Sequence, residues 1–151
     1  MQKVLLVAVI SAFAIPVLAG GVAEKKKHDA VEESLAKSAE KIKDCGKTFK
    51  VTFDWKAYEA LPFKEPKDKE DHYGNEISTV EGIGPGINKL CADKDYKDAM
   101  SKISNIVYKP VGDTKITVKA TVSGGTLTFE NYTFGSTRGA DDYMKAAKAT
   151  L

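Results

Sequence analysis

Polar and apolar positions change their period along this chain, and each change marks an element. From Ala30 to Asp44, Val31, Leu35, Ala39 and Ile42 recur at steps of three and four. That spacing predicts an amphipathic helix, capped by Asp29 and ended by Gly46. Glu33 and Lys37 fall at i and i+4 on its outer face, where they can pair. Thr48 to Asp54 then alternates Phe49, Val51 and Phe53 with Lys50 and Thr52, a half-buried strand. Asp54 is placed to cap a short helix carrying Trp55, Tyr58 and Leu61. Pro62 to Gly74 reads as a loop, with Pro62, Pro66 and the charged string from Lys67 to Asp71. A second helical region is expected from about Asn75 to Ile106, interrupted at Gly82-Ile83-Gly84-Pro85-Gly86. Its last part places Tyr96, Ala99, Met100 and Ile103 on one stripe, with Asp93 or Asp95 as cap.

Beyond this point the period falls to two. Ile106 to Tyr108 is a short strand ended by Pro110. Ile116, Val118, Ala120 and Val122 alternate with Thr117, Lys119 and Thr121, and Ser123-Gly124-Gly125-Thr126 supplies a tight turn. Leu127, Phe129, Tyr132 and Phe134 form the returning strand, whose alternation slips near Asn131 and predicts a bulge. A closing helix from Asp141 to Leu151 holds Tyr143, Met144 and Ala147. The expectation is an α+β fold: a single small domain, with an antiparallel sheet of about four strands packed with several helices. One strand is early and three form a C-terminal meander.

Composition narrows the function classes. A chain of 151 residues suits one domain. With 23 basic and 21 acidic side chains the charge is nearly balanced, against both an acidic disordered tail and a strongly basic nucleic-acid module. Arg138 is the only arginine, so bidentate phosphate recognition has little to draw on.

The N-terminus carries an export pattern. Lys3 precedes an uncharged stretch from Val4 to Ala19, Pro16 breaks it near the end, and Val17-Leu18-Ala19 gives the small-x-small pattern of a peptidase site. Residues 1–19 are expected to be a signal peptide, with a second cut possible after Ala23. The competing expectation is a retained anchor, since Val4 to Ala23 is long enough to cross a bilayer. Residues 20–29 are then a flexible leader and residues 30–151 the domain, located in the periplasm or secreted, with no membrane contact after cleavage.

Two cysteines, Cys45 and Cys91, both fall in the mature part. An even count in an exported domain predicts one disulfide. A nucleophilic thiol working with His28 or His72 is the alternative. Two Cys and two His at irregular spacing match no zinc pattern, and no metal or cofactor is expected.

The most suggestive motif is Ile77 to Ile87, with Gly82-Ile83-Gly84 at its centre and Gly86 following. It resembles the hairpin of helix-hairpin-helix proteins, in which a Gly-hydrophobic-Gly turn joins two helices. The resemblance implies that hairpin amides bind DNA phosphates without reading sequence, with Lys89 in support. About 15 residues carry it, and Asn88 and Cys91 stand where that family favours small and aliphatic residues. The bland alternative is a Gly-rich link between two helices.

Other motifs fall away on geometry. Gly46-Lys47-Thr48 has helix before strand, the reverse of a phosphate loop. Two Ser-x-x-Lys matches, at Ser34 and Ser38, lie in one Lys-rich helix without companion motifs. Asp93, Asp95 and Asp98 lack the glycine of a calcium loop and suit helix caps better. Arg138 is expected to pair locally with Asp141 or Asp142, and Asn131-Tyr132-Thr133 is a glycosylation sequon in a predicted strand.

Carboxylates are plentiful, but no nucleophile elbow or acid–base constellation stands out, which leans against an enzyme. The expected function is an exported binding or accessory domain, partnered by an envelope protein or a small ligand. Its binding loops would be Gly82, Ile83, Gly84, Gly86 and Lys89, or Lys64, Lys67 and His72. Two alternatives stay open: non-specific DNA or phosphate binding at Gly82 to Gly86, although nucleic acid is not favoured as a partner, and a small hydrolase with an unrecognised carboxylate site.

Overall fold

The computed structural model describes residues 18–113, 117–135 and 137–151, with the side chains of 18–20, 66 and 67 left out of account. Most of the expected signal segment lies outside the described residues.

The first helix, α1 (Leu18–Ala39), starts well before Ala30 and stops before Asp44. The stretch expected as a flexible leader is therefore helical. Its charges face partners on a later helix: Glu24 lies 2.6 Å from Lys69, and Lys27 lies 3.4 Å from Glu70. Val31, Leu35 and Ser38 form the buried face of α1, and the Glu33–Lys37 pair closes at 2.6 Å on its outside. The chain then turns through Gly46, at φ 70°, into β1 (Lys50–Phe53). Asp54 caps α2 (Trp55–Glu59), accepting from the Ala57 amide at 2.9 Å.

The charged string expected as a loop is helical. It opens α3 (Pro66–Val80), where Pro66 takes the first helical position and Asp68 accepts from the Glu65 amide at 3.1 Å. Glu70 and Asp71 of that string are exposed and Asp68 and Lys69 half-buried, while Tyr73, Glu76, Thr79 and Val80 are buried, so the helix is amphipathic despite its polar sequence. The break at the glycines is also narrower than expected. Only Glu81 and Gly82 separate α3 from α4 (Ile83–Cys91), and Gly84, Pro85 and Gly86 all lie inside α4, with Pro85 in its first turn. Asp93 caps α5 (Lys94–Ser101), which carries Met100 into the core.

Four strands make one sheet in the order β1-β2-β4-β3, adding β2 (Asn105–Val111), β3 (Val118–Ser123) and β4 (Thr126–Tyr132). One early and three late strands fit the α+β expectation. The pairing, however, is mixed: β1 with β2 and β2 with β4 are parallel, and only β3 with β4 is antiparallel. The meander is replaced by a hairpin whose second strand inserts beside β2. Burial explains the order. Ile106, Tyr108 and Pro110 of β2 pair in register with Leu127, Phe129 and Asn131 of β4, and all six are buried. In β3 only Ala120 is buried, so this strand takes the edge. Pro110 does not end β2, because β1 pairs only as far as Tyr108 and no strand there needs the missing N–H. Nor is there a bulge at Asn131, which faces inward in unbroken register with Pro110. Ile116 lies outside the described residues.

The last helix, α6 (Ala140–Lys148), packs Tyr143 and Ala147 inward against α4 and the β3–β4 hairpin. Cys45 and Cys91 are bonded, with Cα atoms 4.9 Å apart, and tie the end of the α1 turn to the end of α4.

Candidate functional site

Proline and an aromatic run shape an open concavity. Pro62 turns the chain after α2, Lys64 follows, and the first turns of α3 place Asp68 and His72 four residues apart on one face. Across from them Gly112 follows β2, while Tyr132 and Phe134 end and follow β4. These seven residues line an open cavity of about 350 Å³. Its rings lock one another: His72 and Phe134 meet edge to face at 4.7 Å, Phe63 lies 5.6 Å from His72, and Tyr132 lies 5.9 Å from Phe134. Of the residues singled out in the 64–72 segment, Lys64 and His72 converge here. Lys67 belongs to α3, and its side chain is not described.

A second arrangement, not among the residues the sequence singled out, lies behind this wall. Glu76 follows His72 by one turn of α3 and is 1% exposed. Tyr108 donates its hydroxyl proton to Glu76 Oε2, and Asn131 Nδ2 donates to the Tyr108 oxygen at 3.0 Å. The Thr133 hydroxyl faces the same carboxyl without closing a well-directed hydrogen bond. Burial pushes Glu76 up to about 7, against the opposing pull of Tyr108 and Thr133. Burial, reinforced by the neighbouring carboxyl, also drives the Tyr108 and Tyr143 hydroxyls well above their ordinary range. Glu76 Oε1, Asn131 Oδ1, Thr133 Oγ1 and the Tyr143 hydroxyl are all buried without a partner among the described residues. Asn131, read as a sequon, is 2% exposed and closed to a glycan in the folded chain. One signal could have found Glu76: it interrupts the apolar stripe of Tyr73, Ile77 and Val80, once the helix is seen to begin at Pro66.

The other acidic group lies on the surface near α1. Glu24, His28 and Glu59 bring one ligand atom each within 4.8 Å. The Lys69 ammonium lies 2.6 Å from Glu24 and 2.7 Å from Glu59, so the positive charge there is already supplied. Burial alone would lower Lys69, but these two carboxylates hold it above its ordinary value, and the hydrogen bond from Lys69 holds Glu24 below its own. His28 stacks on Trp55 at 3.8 Å and meets the Tyr73 hydroxyl at 2.9 Å. Neither His28 nor His72 is placed with a thiol, because both sulfurs are committed to the disulfide.

The glycines at 82–86 do not form an open phosphate turn. The Gly84 amide donates to Ser38 Oγ at 2.8 Å, and that hydroxyl donates onward to the Glu81 carbonyl at 3.1 Å. The Gly86 amide is bonded to the Gly82 carbonyl at 3.0 Å. Gly84 lies against the backbone of α1 and Gly86 against the start of α6, while Ile83 is buried between them. Lys89 reaches Asp141 at 2.9 Å. Asp141 thus pairs with Lys89 and Asp142 accepts from the Gly139 amide at 2.9 Å, in place of the local Arg138 pairs expected. The Arg138 Nε is buried without a partner among the described residues.

Compared with family models, curated proteins and solved structures, the chain finds no match in any of the three.

Proposed function

We propose that this chain is an exported, single-disulfide domain that holds a small organic acid in the cavity of Lys64, His72, Tyr132 and Phe134, acting by binding and not by chemistry. The observation that carries the reading is that convergence: flat apolar walls with a few polar groups are the composition of small-ligand sites. Lys64 is exposed and forms no ion pair with a described residue, so its ammonium is available to a carboxylate. Asp68, the one acid of the wall, is engaged in the first turn of α3. A single acid does not make the pair that hydrolysis needs. The bonded cysteines suit an oxidising compartment, and among the described residues no helix is long and apolar enough to cross a membrane.

The test titrates benzoate, with benzylamine as a cationic control, into the labelled protein and follows backbone amide shifts. Benzoate is expected to give saturable shifts at Lys64, His72, Gly112 and Phe134, and benzylamine none. Lys64→Ala should weaken benzoate about fivefold, the ~1 kcal/mol of an exposed charge pair. Shifts that do not saturate, or that lie elsewhere, overturn the cavity assignment. N-terminal sequencing of exported protein should begin at Gly20 or Glu24, and an uncleaved chain held in the membrane fraction overturns the export assignment.

A further inference from the structure

Asp68, His72 and Glu76 succeed one another on α3, so one helix face runs from the cavity wall into the core. The end of β4 and the turn after it do the same. Tyr132 and Phe134 line the cavity, whereas Asn131 and Thr133, between and before them, are buried at 2% and 3% exposure. The wall and the buried carboxyl therefore share two backbone segments.

The polar groups that meet the Glu76 carboxyl directly, Tyr108 and Thr133, are uncharged at neutral pH. Tyr108 comes from β2, Asn131 from β4, Thr133 from the segment after it, and Tyr143 from α6. Tyr58 of α2 lies within electrostatic range. On α3 itself His72 is one turn away. Arg138, before α6, acts on Tyr143, and no ion pair joins it to Glu76. Tyr108 spends its one proton on Oε2. Of the remaining atoms, Glu76 Oε1, Asn131 Oδ1 and Thr133 Oγ1 are three buried acceptors with the threonine proton between them, and the Tyr143 hydroxyl, which makes no hydrogen bond to any of the three, is likewise unpartnered among the described residues.

We propose that Glu76 is a proton switch beneath the cavity: the neutral carboxyl completes the network that clamps α3 to β2 and to the 131–134 segment, and its ionisation loosens the wall. A carboxyl proton on Oε1 supplies the missing donor, so that Glu76 can serve Thr133 and Thr133 can serve Asn131. Ionised, the group is a buried charge without a cation, and its cheapest relief is for water to enter between α3 and β4. The sign follows from linkage. Glu76 holds its proton to about pH 7 in the folded chain, against 4.5 when free. Its stabilisation is complete below the free value, declines as the pH rises towards 7, and is gone above it.

The switch rests on the cavity reading only for its effect on ligand. The experiment compares full-length exported protein with Glu76→Gln, whose amide mimics the neutral acid. Carbon-13 carboxyl NMR should show Glu76 titrating near pH 7. The folding equilibrium of the wild type relative to Glu76→Gln should fall about 150-fold between pH 4.5 and 8, as the carboxyl ionises near 4.5 in the unfolded chain and near 7 in the folded one. Amide protection at Ile77, Val80 and Thr133, corrected for intrinsic exchange, should fall with it in the wild type alone. A carboxyl titrating near its free value, or a pH-independent difference between the two proteins, overturns the switch. Should Glu76→Gln not fold, the wild-type carboxyl titration decides. Benzoate should bind more weakly at pH 8 than at pH 5.5 by a larger factor in the wild type than in Glu76→Gln. If benzoate binds at neither pH while the protection changes persist, the cavity reading fails and the switch stands.

Discussion

A methyl group added at Gly84 would sit 1.6 Å from the Ser38 carbonyl oxygen and 2.4 Å from its carbon, both backbone atoms that cannot swing aside. At Gly74, also helical, it would meet nothing within 4 Å. The same substitution should therefore have opposite signs. Gly84→Ala must part α1 from α4 and is expected to cost about 3 kcal/mol or more, the upper range of overpacking. Gly74→Ala removes backbone entropy from an exposed helical position and should stabilise by about 0.5–1 kcal/mol. Urea unfolding of the two variants checks both, and a neutral Gly84→Ala would contradict the close α1–α4 contact. The case explains why residues 82–86 were ambiguous in the sequence. Glycine serves a phosphate turn and a tight helix contact equally well, and only the partner backbone, more than forty positions away at Ser38, decides. Asn131 has the same character: its place in a strand was legible, but its inward orientation depends on the Tyr108 hydroxyl across the ladder.

The hairpin between β3 and β4 shows which elements local sequence settles. Gly124 and Gly125 have φ 54° and 74°, the paired left-handed geometry of a two-residue turn. Gly124→Asn should leave stability nearly unchanged, since asparagine is at home at the first position of such a turn. Gly125→Val should cost about 1–2 kcal/mol, because a branched residue resists that φ and Lys102 O already lies 3.3 Å from the new carbon. Thermal melts of the two variants separate these outcomes, and equal losses would mean that the turn is not what fixes the register. The α2 cap at Asp54 and the α5 cap at Asp93 were legible for the same local reason. What local pattern did not settle was α3 and the strand order. The string Lys67 to Asp71 resembles a loop until Tyr73, Glu76 and Val80 are seen to share a buried side. The period-two stretches of β2, β3 and β4 say nothing of their neighbours. Their order follows from which strands must be covered on both sides, a property of the assembled core.

At the scale of the molecule, the early strand β1 can pair with β2 only if the helices α2 to α5 close a long crossover, and the disulfide shortens that closure. Cys45 stands five residues before β1 and Cys91 ends α4, 46 positions apart. Chain entropy gives such a loop about 4 kcal/mol of stabilisation, a large share of the margin of a small domain. The double variant Cys45→Ala with Cys91→Ala should lose about that much in urea unfolding. The loss should also be uneven. The bond holds α1, β1 and α4 together, whereas β2, β4 and β3 join one another through short links, and β3 and β4 pack on α6 without it. Amide exchange in the double variant should accordingly rise most in β1 and the end of α1, and least in β4. Uniform loss of protection would mean that the sheet and the helical crossover unfold as one unit, and that the bond stabilises the whole rather than its N-terminal half. Because β4 also carries Asn131, a protected β4 in that variant predicts that Glu76 keeps its raised proton affinity there. The proton switch and the disulfide would then act on separable parts of one small core.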